Sequence, residues 1–202
     1  MGLQIGITPD GSRKWARKNR LSYSESYFNG AVIAGNLVKH SLGRGDISRI
    51  VFYGLSAENV RERKLEEVGA VIIGLNYGLI LFSQIKGISV SCFGDESFER
   101  ASNLFKLSSF QVDPKMNVDL LVNYSPDWDF KTRPIRTSRI PTLDLVIRTE
   151  PEARRLSGFL PLQSANAQLY FPTCFWPEFT LEKFDKIIED FKAKHIGRIP
   201  HK

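Results

Sequence analysis

The sequence predicts an α/β fold in which a central, mostly parallel β-sheet is flanked by helices. Short β-rich runs alternate along the chain with longer helical segments, which is the pattern of parallel strands joined by helices. The chain has 202 residues, of which 42% are hydrophobic and 25% charged. These values fit one soluble globular domain covering residues 1–202.

Five β-rich runs carry this prediction. The first, residues 3–7 (LQIGI), reads as a short buried strand, and the stretch after Gly11 reads as the opening of a helix. The other predicted strands are 49–54, 88–94, 117–124 and 143–149, and the predicted helices are 24–42, about 60–86, and 95–108. Residues 129–142 are basic, contain proline and lack periodicity, so they are predicted to form a surface loop.

The segment 66–87 is apolar nearly all round, yet it contains three glycines that lower helix propensity, Gly69, Gly74 and Gly78. Two interpretations follow. The segment is either a buried core helix or a helix that lines an apolar cavity, where the glycines make room for a ligand.

The net charge of +6 favours anionic partners. The basic residues form no nucleic-acid-binding signature, so we expect a small phosphorylated ligand rather than nucleic acid. Cys92 and Cys174 are far apart in apolar runs, which indicates free thiols in a reducing compartment. Without a signal-peptide core or an apolar span of membrane length, the sequence predicts a cytoplasmic protein with no transmembrane segment.

Polar clusters follow three of the predicted strands: Asp10-Gly11, Ser56 to Asn59, and Arg148-Thr149. The carboxyl ends of parallel strands meet at one edge of a sheet, so these clusters are expected to form one site. In the first cluster, a strand breaks at residues 9–11 into a basic helix start, a geometry that suits a phosphate group. The alternative is an ordinary turn in which Asp10 caps a solvated helix.

Five motifs occur in order along the chain: PDGSRKWA, YGLSAENVRER, NYSPDWD, DLVIRTEPEARRLSGFLPLQSANAQLYF and FWPEFT. Together they resemble the cis-prenyltransferases, the undecaprenyl diphosphate synthase family, from Ile5 to about Lys194. The resemblance favours the phosphate-binding interpretation of the first cluster. It implies the cis-prenyltransferase fold with an apolar substrate cavity, a homodimer, and Mg²⁺ as cofactor. The implied reaction joins an allylic diphosphate (dimethylallyl or geranyl diphosphate) to a second isoprenoid diphosphate such as isopentenyl diphosphate.

The resemblance also assigns roles to individual residues. Asp10 would hold Mg²⁺, and the expected catalytic residues are Asp10, Ser56, Asn59 and Tyr27. The expected substrate-binding residues are Gly11, Ser12, Arg13, Lys14 and Trp15 in the first motif, Arg61 and Arg63 in the second, and Arg148, Arg155 and Ser157 in the fourth. The last three match the family's site for the second diphosphate, where guanidinium groups suit phosphate oxygens.

Several positions depart from the family pattern. Gln168 stands where the family has a metal-binding glutamate, and an amide is a poorer Mg²⁺ ligand, so Glu150 or Glu152 is the alternative ligand. The C-terminal Arg-x-Gly, which reaches across the dimer, is replaced by His195-Ile196-Gly197.

Tyr27 replaces a histidine, as in the cyclolavandulyl and lavandulyl diphosphate synthases, which couple short isoprenoid diphosphates head to middle. We therefore expect a short product. Two alternatives stay open: a non-catalytic partner subunit or prenyl-diphosphate-binding protein of the same fold, and a prenyl diphosphate lyase or cyclase.

Overall fold

The computed structural model describes residues 2–108 and 111–195. Its centre is a six-stranded sheet whose strand pairs are all parallel. The strands are β1 (Leu3–Thr8), β2 (Ile47–Ser56), β3 (Ile88–Phe93), β4 (Met116–Tyr124), β5 (Leu145–Arg148) and β6 (Gln168–Tyr170). Their order in the sheet is β3-β4-β2-β1-β5-β6. The predicted α/β fold with a parallel sheet is confirmed.

Helices connect and cover the strands. They are α1 (Ser12–Asn19), α2 (Tyr23–Arg44), α3 (Ala57–Glu62), α4 (Leu65–Ser83), α5 (Ser102–Lys106), α6 (Pro126–Asp129) and α7 (Leu181–His195), with 3₁₀ turns at Glu99–Ala101 and Trp176–Glu178. The long helix α2 starts at a capping box formed by Ser22 and Glu25 and ends at Gly45, whose φ is 74°. Both features are common sequence signals for helix ends.

Two predicted helices differ from the structure. The predicted helix 60–86 is divided into α3 and α4, because Ser56 caps α3 at the very end of β2, and Arg63 and Lys64 then take extended backbone angles. The predicted helix 95–108 is reduced to a 3₁₀ turn and α5. Only Ala101 and Leu104 are fully buried in those two elements, so little packing stabilises a longer helix there.

The predicted surface loop 129–142 is partly wrong. Asp129 is completely buried, and its carboxylate accepts hydrogen bonds from the Tyr124 hydroxyl and from the backbone N–H and hydroxyl of Thr137. Ile140 also packs in the core. A buried carboxylate must be hydrogen-bonded, and these three bonds fix the loop against the sheet.

The sheet is covered on both faces. On one face, α2, α4 and α7 pack against the strands through side chains such as Leu37, Phe82 and Phe184. On the other face, residues 140–160 supply Leu143 and Phe159 to a second core. Burial on both faces is the usual state of a parallel sheet and explains why its strands read as continuous apolar runs.

Helix α4 packs tightly against α2. A Cβ atom on Gly74 would lie 2.8 Å from the Tyr27 Cβ, so only glycine fits there. By length and composition alone α4 could cross a membrane, but the core helices of soluble proteins have the same properties. In this fold, α4 buries eight residues, among them Val68, Leu79 and Phe82, against the rest of the chain.

Candidate active site

The first predicted cluster forms where β1 ends. Asp10 Oδ2 lies 2.7 Å from a guanidinium nitrogen of Arg148, the last residue of the neighbouring strand β5. Asp10 Oδ1 accepts a hydrogen bond from the Gly11 N–H at 2.7 Å. The Thr149 hydroxyl accepts from the Asp10 N–H and donates to the Asp10 carbonyl. Arg148 and Gly11 therefore hold the Asp10 carboxylate in place, and Thr149 holds its backbone.

Gly11 makes the turn from β1 into α1. Its φ is 89°, and a Cβ atom here would lie 2.5 Å from Phe175 Cδ1 and 3.3 Å from Glu150 Cγ. Both the backbone angle and the crowding require glycine. No side chain caps α1, so Asp10 is not a helix cap, and the first N–H groups of α1 have no capping side chain. Such a helix start binds anions well.

A cavity of about 350 Å³ lies over this turn. It brings together residues from β1, α1, α2, β2, α3 and β5, as expected for one site at the carboxyl ends of parallel strands. Eleven of the predicted site residues line it: Asp10, Gly11, Ser12, Arg13, Lys14, Tyr27, Ser56, Asn59, Arg63, Arg148 and Ser157.

Three cations of the cavity, Arg13, Lys14 and Arg148, are paired with carboxylates. Lys14 Nζ lies 2.8 Å from Glu150 Oε1 and 2.9 Å from Glu152 Oε2, and the hydrogen bonds to these glutamates raise the pKa of Lys14. Arg13 contacts Glu67 at 3.1 Å. The charged residues that line the cavity are four cations and three carboxylates: Arg13, Lys14, Arg63 and Arg148 against Asp10, Glu58 and Glu150. The lining thus has a surplus of one positive charge.

Tyr27, Ser56 and Asn59 close another side of the cavity. The Ser56 hydroxyl accepts a hydrogen bond from the Asn59 N–H at 3.1 Å and so starts α3. The Arg63 guanidinium donates to the Tyr27 hydroxyl oxygen at 3.1 Å. Burial raises the pKa of Tyr27, so its phenol is neutral at physiological pH and keeps a proton that it can donate.

An apolar pocket of about 80 Å³ adjoins the polar cavity. The two share five lining residues: Pro9, Ser12, Tyr27, Tyr53 and Gly54. The remaining wall comes mainly from α2, α4 and the sheet: Gly30, Ala31, Ala34, Phe52, Val71, Gly74, Leu75, Gly78, Phe82, Leu120 and Trp176. Helix α4 is thus a core helix that also borders this pocket. That its glycines make room for a ligand stays a prediction.

Comparisons with known proteins agree with this geometry. The family described as "Putative undecaprenyl diphosphate synthase" matches residues 127–197. The isoprenyl transferase of Aquifex aeolicus is 26% identical over 96% of this chain and 95% of its own. The geranylgeranyl-diphosphate-specific tritrans,polycis-undecaprenyl-diphosphate synthase of Aeropyrum pernix is 28% identical over 96% of this chain and 97% of its own.

The crystal structure of lavandulyl diphosphate synthase from Lavandula x intermedia, in complex with dimethylallyl diphosphate, has the same fold. The TM-score is 0.77, with 20% sequence identity and 94% of each chain covered. The chain is similar to the cis-prenyltransferases along nearly its whole length. The predicted resemblance to this family and the predicted fold are confirmed.

Four of the predicted site residues do not line the cavity. Trp15 is half-buried elsewhere on α1, and Arg61 is exposed on α3. The Arg155 side chain is exposed, although its carbonyl accepts a hydrogen bond from Arg148 at 2.7 Å. The fourth is Gln168.

Gln168 is the first residue of β6, where it is exposed and pairs with Leu145 at the start of β5. Three residues of strand, about 10 Å, separate that level from Arg148. Asp10 follows the carboxyl end of β1, so Gln168 and Asp10 of the same chain lie at opposite edges of the sheet. Its role stays a prediction. Ile196 and Gly197 lie outside the described residues, and of His195 only the helical backbone is described.

The cavity also contains residues to which sequence reasoning gave no role. Thr8 lies outside the five motifs, and Glu58 lies within the second. Glu150, which the sequence suggested only as an alternative metal ligand, has a φ of 100°, unusual for a residue with a side chain. Its position directly after the Arg148-Thr149 cluster was the available signal. For Thr8 the only signal was its place at the end of a strand.

Proposed function

We propose that this chain is a short-chain prenyltransferase, which joins dimethylallyl or geranyl diphosphate to a second isoprenoid diphosphate and releases diphosphate. The observation that carries this proposal is the junction of the polar cavity with the apolar pocket through five shared residues. A prenyl diphosphate has the same two parts, an anionic head and a hydrocarbon tail.

The polar cavity divides between two head groups in this proposal. Arg13, Lys14 and the N-terminus of α1 bind the allylic diphosphate, where backbone N–H groups and cations favour an anion. Arg148 binds the second diphosphate. Its guanidinium donates to the Ser157 hydroxyl at 2.7 Å, which fixes the direction of the guanidinium plane toward the cavity.

The arrangement suits ionisation of an allylic diphosphate. Negative charge grows on the leaving group, where cations stabilise it, and positive charge grows on the hydrocarbon, which a pocket poor in water protects from capture. Tyr27 borders both spaces. Its neutral hydroxyl, held by Arg63, is placed to donate a hydrogen bond to an oxygen of the leaving group.

Mg²⁺ fits this site as a cofactor shared with the substrate. Among the described residues, no group of three or more His, Cys, Asp or Glu is arranged to hold a metal. Mg²⁺ typically uses one or two carboxylates and takes its other ligands from phosphates and water. Asp10 is the carboxylate that would hold it, and when bound it would offset negative charge on the diphosphate. A surplus of one positive charge in the lining does not balance a diphosphate alone.

The size of the apolar pocket supports a short tail. Its volume is only about 80 Å³, which favours a short hydrocarbon tail over a long polyprenyl chain. The Phe52 ring contacts those of Phe82 and Trp176, at centroid distances of 5.9 and 6.4 Å, and these rings limit the pocket's depth. Head-to-middle coupling of two dimethylallyl groups is a further part of the proposal and rests on Tyr27. The expected homodimer and cytoplasmic location belong to the proposal as well.

The test is product identification by chromatography and mass spectrometry. The purified protein is incubated with dimethylallyl, geranyl and isopentenyl diphosphates, singly and in pairs, with Mg²⁺ or with EDTA. A short product that needs isopentenyl diphosphate indicates regular coupling, and a product from dimethylallyl diphosphate alone indicates irregular coupling.

Other outcomes contradict the proposal. A ladder of long polyprenols contradicts the short pocket. Release of diphosphate with a cyclic or eliminated hydrocarbon identifies a lyase or cyclase. Binding of the diphosphates without any product identifies a non-catalytic partner or binding protein.

A further inference from the structure

Buried polar atoms without a hydrogen-bond partner are concentrated at the cavity. Among the described residues, six buried side-chain atoms have no partner, and three of them belong to residues that line the cavity: Thr8 Oγ1, Arg63 Nε and Arg148 Nε. The other three are scattered on Gln4, Ser41 and Gln163. Leaving a buried polar group unsatisfied costs free energy, so native proteins rarely do it. The cluster therefore indicates a partner that is not part of the chain.

The chemistry of these atoms selects the class of partner. A guanidinium Nε–H is only a donor, and a threonine hydroxyl is able to donate. Three donors around one cavity call for a ligand rich in acceptor oxygens. A metal cation does not satisfy a guanidinium nitrogen, so the three atoms point to an oxyanion such as a phosphate group.

Thr8 is positioned to act together with Arg148. The two residues are register partners on the parallel strands β1 and β5, so their side chains project from the same face of the sheet. The Thr8 carbonyl accepts a hydrogen bond from the Thr149 N–H at 3.3 Å. Thr8 is only 7% exposed, and it lines the cavity with its hydroxyl buried and unpaired.

We propose that Thr8 is a diphosphate-binding residue, whose hydroxyl donates a hydrogen bond to the same phosphate group that Arg148 Nε binds. Arg63 Nε is a third donor to this anion. The inference rests on the proposed function only in that it takes the phosphate group to belong to an isoprenoid diphosphate. The inference adds to the site an uncharged residue, which ends β1 just before the phosphate loop, residues 9–11.

The test measures the binding of inorganic diphosphate to the whole protein by isothermal titration calorimetry. Three variants are compared with the natural chain: Thr8→Val, which keeps the shape and removes the hydroxyl, Thr8→Ser, which keeps the hydroxyl, and Ser41→Ala. The last is a matched control, because Ser41 is fully buried with an equally unpaired hydroxyl and lies outside the cavity lining.

Thr8→Val is expected to raise the Kd for diphosphate roughly tenfold, as for the loss of a hydrogen bond to a charged group. Thr8→Ser and Ser41→Ala are expected to bind diphosphate as the natural chain does. The melting temperature of the ligand-free Thr8→Val variant should not fall, because no internal hydrogen bond is removed. An unchanged Kd in Thr8→Val, or an equal loss in Ser41→Ala, would overturn the inference.

The same data separate this inference from the proposed function. If the protein binds diphosphate through Thr8 but makes no prenyl product, the function fails and the Thr8 assignment stands. If the protein transfers prenyl groups and Thr8→Val binds diphosphate normally, the proposed function stands and the Thr8 assignment fails.

Discussion

Asp10 and Arg148 form a 2.7 Å ion pair between the ends of two adjacent parallel strands. The pair joins the carboxylate that we assign to Mg²⁺ and the guanidinium that we assign to a diphosphate. Each therefore neutralises the other in the ligand-free chain. Substrate and metal must replace this internal contact with contacts of their own, so the two residues are expected to respond to substitution in opposite ways.

Replacing Asp10 by asparagine tests this relationship. Turnover with Mg²⁺ should fall by about 100-fold or more, because a carboxylate that stabilises the transition state through the metal is lost. Binding of inorganic diphosphate in EDTA should become tighter, because Arg148 no longer has an internal anion. Steady-state kinetics and calorimetry measure the two effects. Asp127→Asn, an exposed change outside the cavity lining, is the control, and near-normal turnover of Asp10→Asn would contradict the role of Asp10.

Replacing Arg148 by lysine tests the second diphosphate site. The Arg148 guanidinium makes three contacts at 2.7 Å, to Asp10, Ser157 and the Arg155 carbonyl, and an ammonium group does not reproduce this fork. We expect the KM for the second diphosphate to rise roughly tenfold.

The matched control for this change is Arg154→Lys. Arg154 donates to the carbonyl oxygens of Pro151 and Ala153 and does not line the cavity, so its substitution should leave both KM values unchanged. If Arg148→Lys moves only the KM of the allylic substrate, the two diphosphate sites have been assigned in reverse.

Replacing Gly78 by alanine narrows the apolar pocket without disturbing the fold. A Cβ atom there would meet only the Ala31 Cβ, at 3.7 Å. One added methyl group in the wall should lower kcat/KM for geranyl diphosphate roughly tenfold relative to dimethylallyl diphosphate. Gly69→Ala, where a Cβ meets nothing within 4 Å and no pocket is lined, gives the same gain in helix propensity and should leave this ratio unchanged. Equal ratios in both variants would refute the assignment of the pocket to the tail.

The pH dependence of the free energy of unfolding should show the contribution of the Asp46 carboxylate. Burial disfavours the charged form of this carboxylate, but hydrogen bonds from Arg44 and Lys192 outweigh burial and lower the Asp46 pKa from 3.8 to about 2. A folded-state pKa below the unfolded one stabilises the protein at higher pH, and this contribution is lost as the pH falls from about 4 to about 2.

Asp46→Asn should therefore lower the free energy of unfolding by about 1 kcal/mol at pH 7, after allowance for solvent screening, and by much less near pH 2. Denaturant titrations at a series of pH values measure the difference. Glu96→Gln, an exposed change, should leave the profile unchanged. A loss for Asp46→Asn that is the same at every pH would point to packing rather than to charge.

The sequence predicted the strands and the site where short local patterns determine the structure. The apolar runs located five strands, and the Asp10 and Arg148 motifs located the site. Apolar pattern did not reveal the break between α3 and α4, because no glycine or proline marks it and it depends on the Ser56 cap at the end of β2. The place of Gln168 depends on the register of β6 against β5. No local pattern encodes such a pairing between distant segments.

The pairing of β1 with β5 also determines when the site exists. Residues 138 positions apart in the chain build it, Asp10 from one strand end and Arg148 from the other. During synthesis the phosphate loop emerges long before its arginine partner, and contacts over such separations form late in folding. A nascent chain therefore has an exposed, basic N-terminal segment but no complete anion site. Diphosphate capture is a property of the finished sheet.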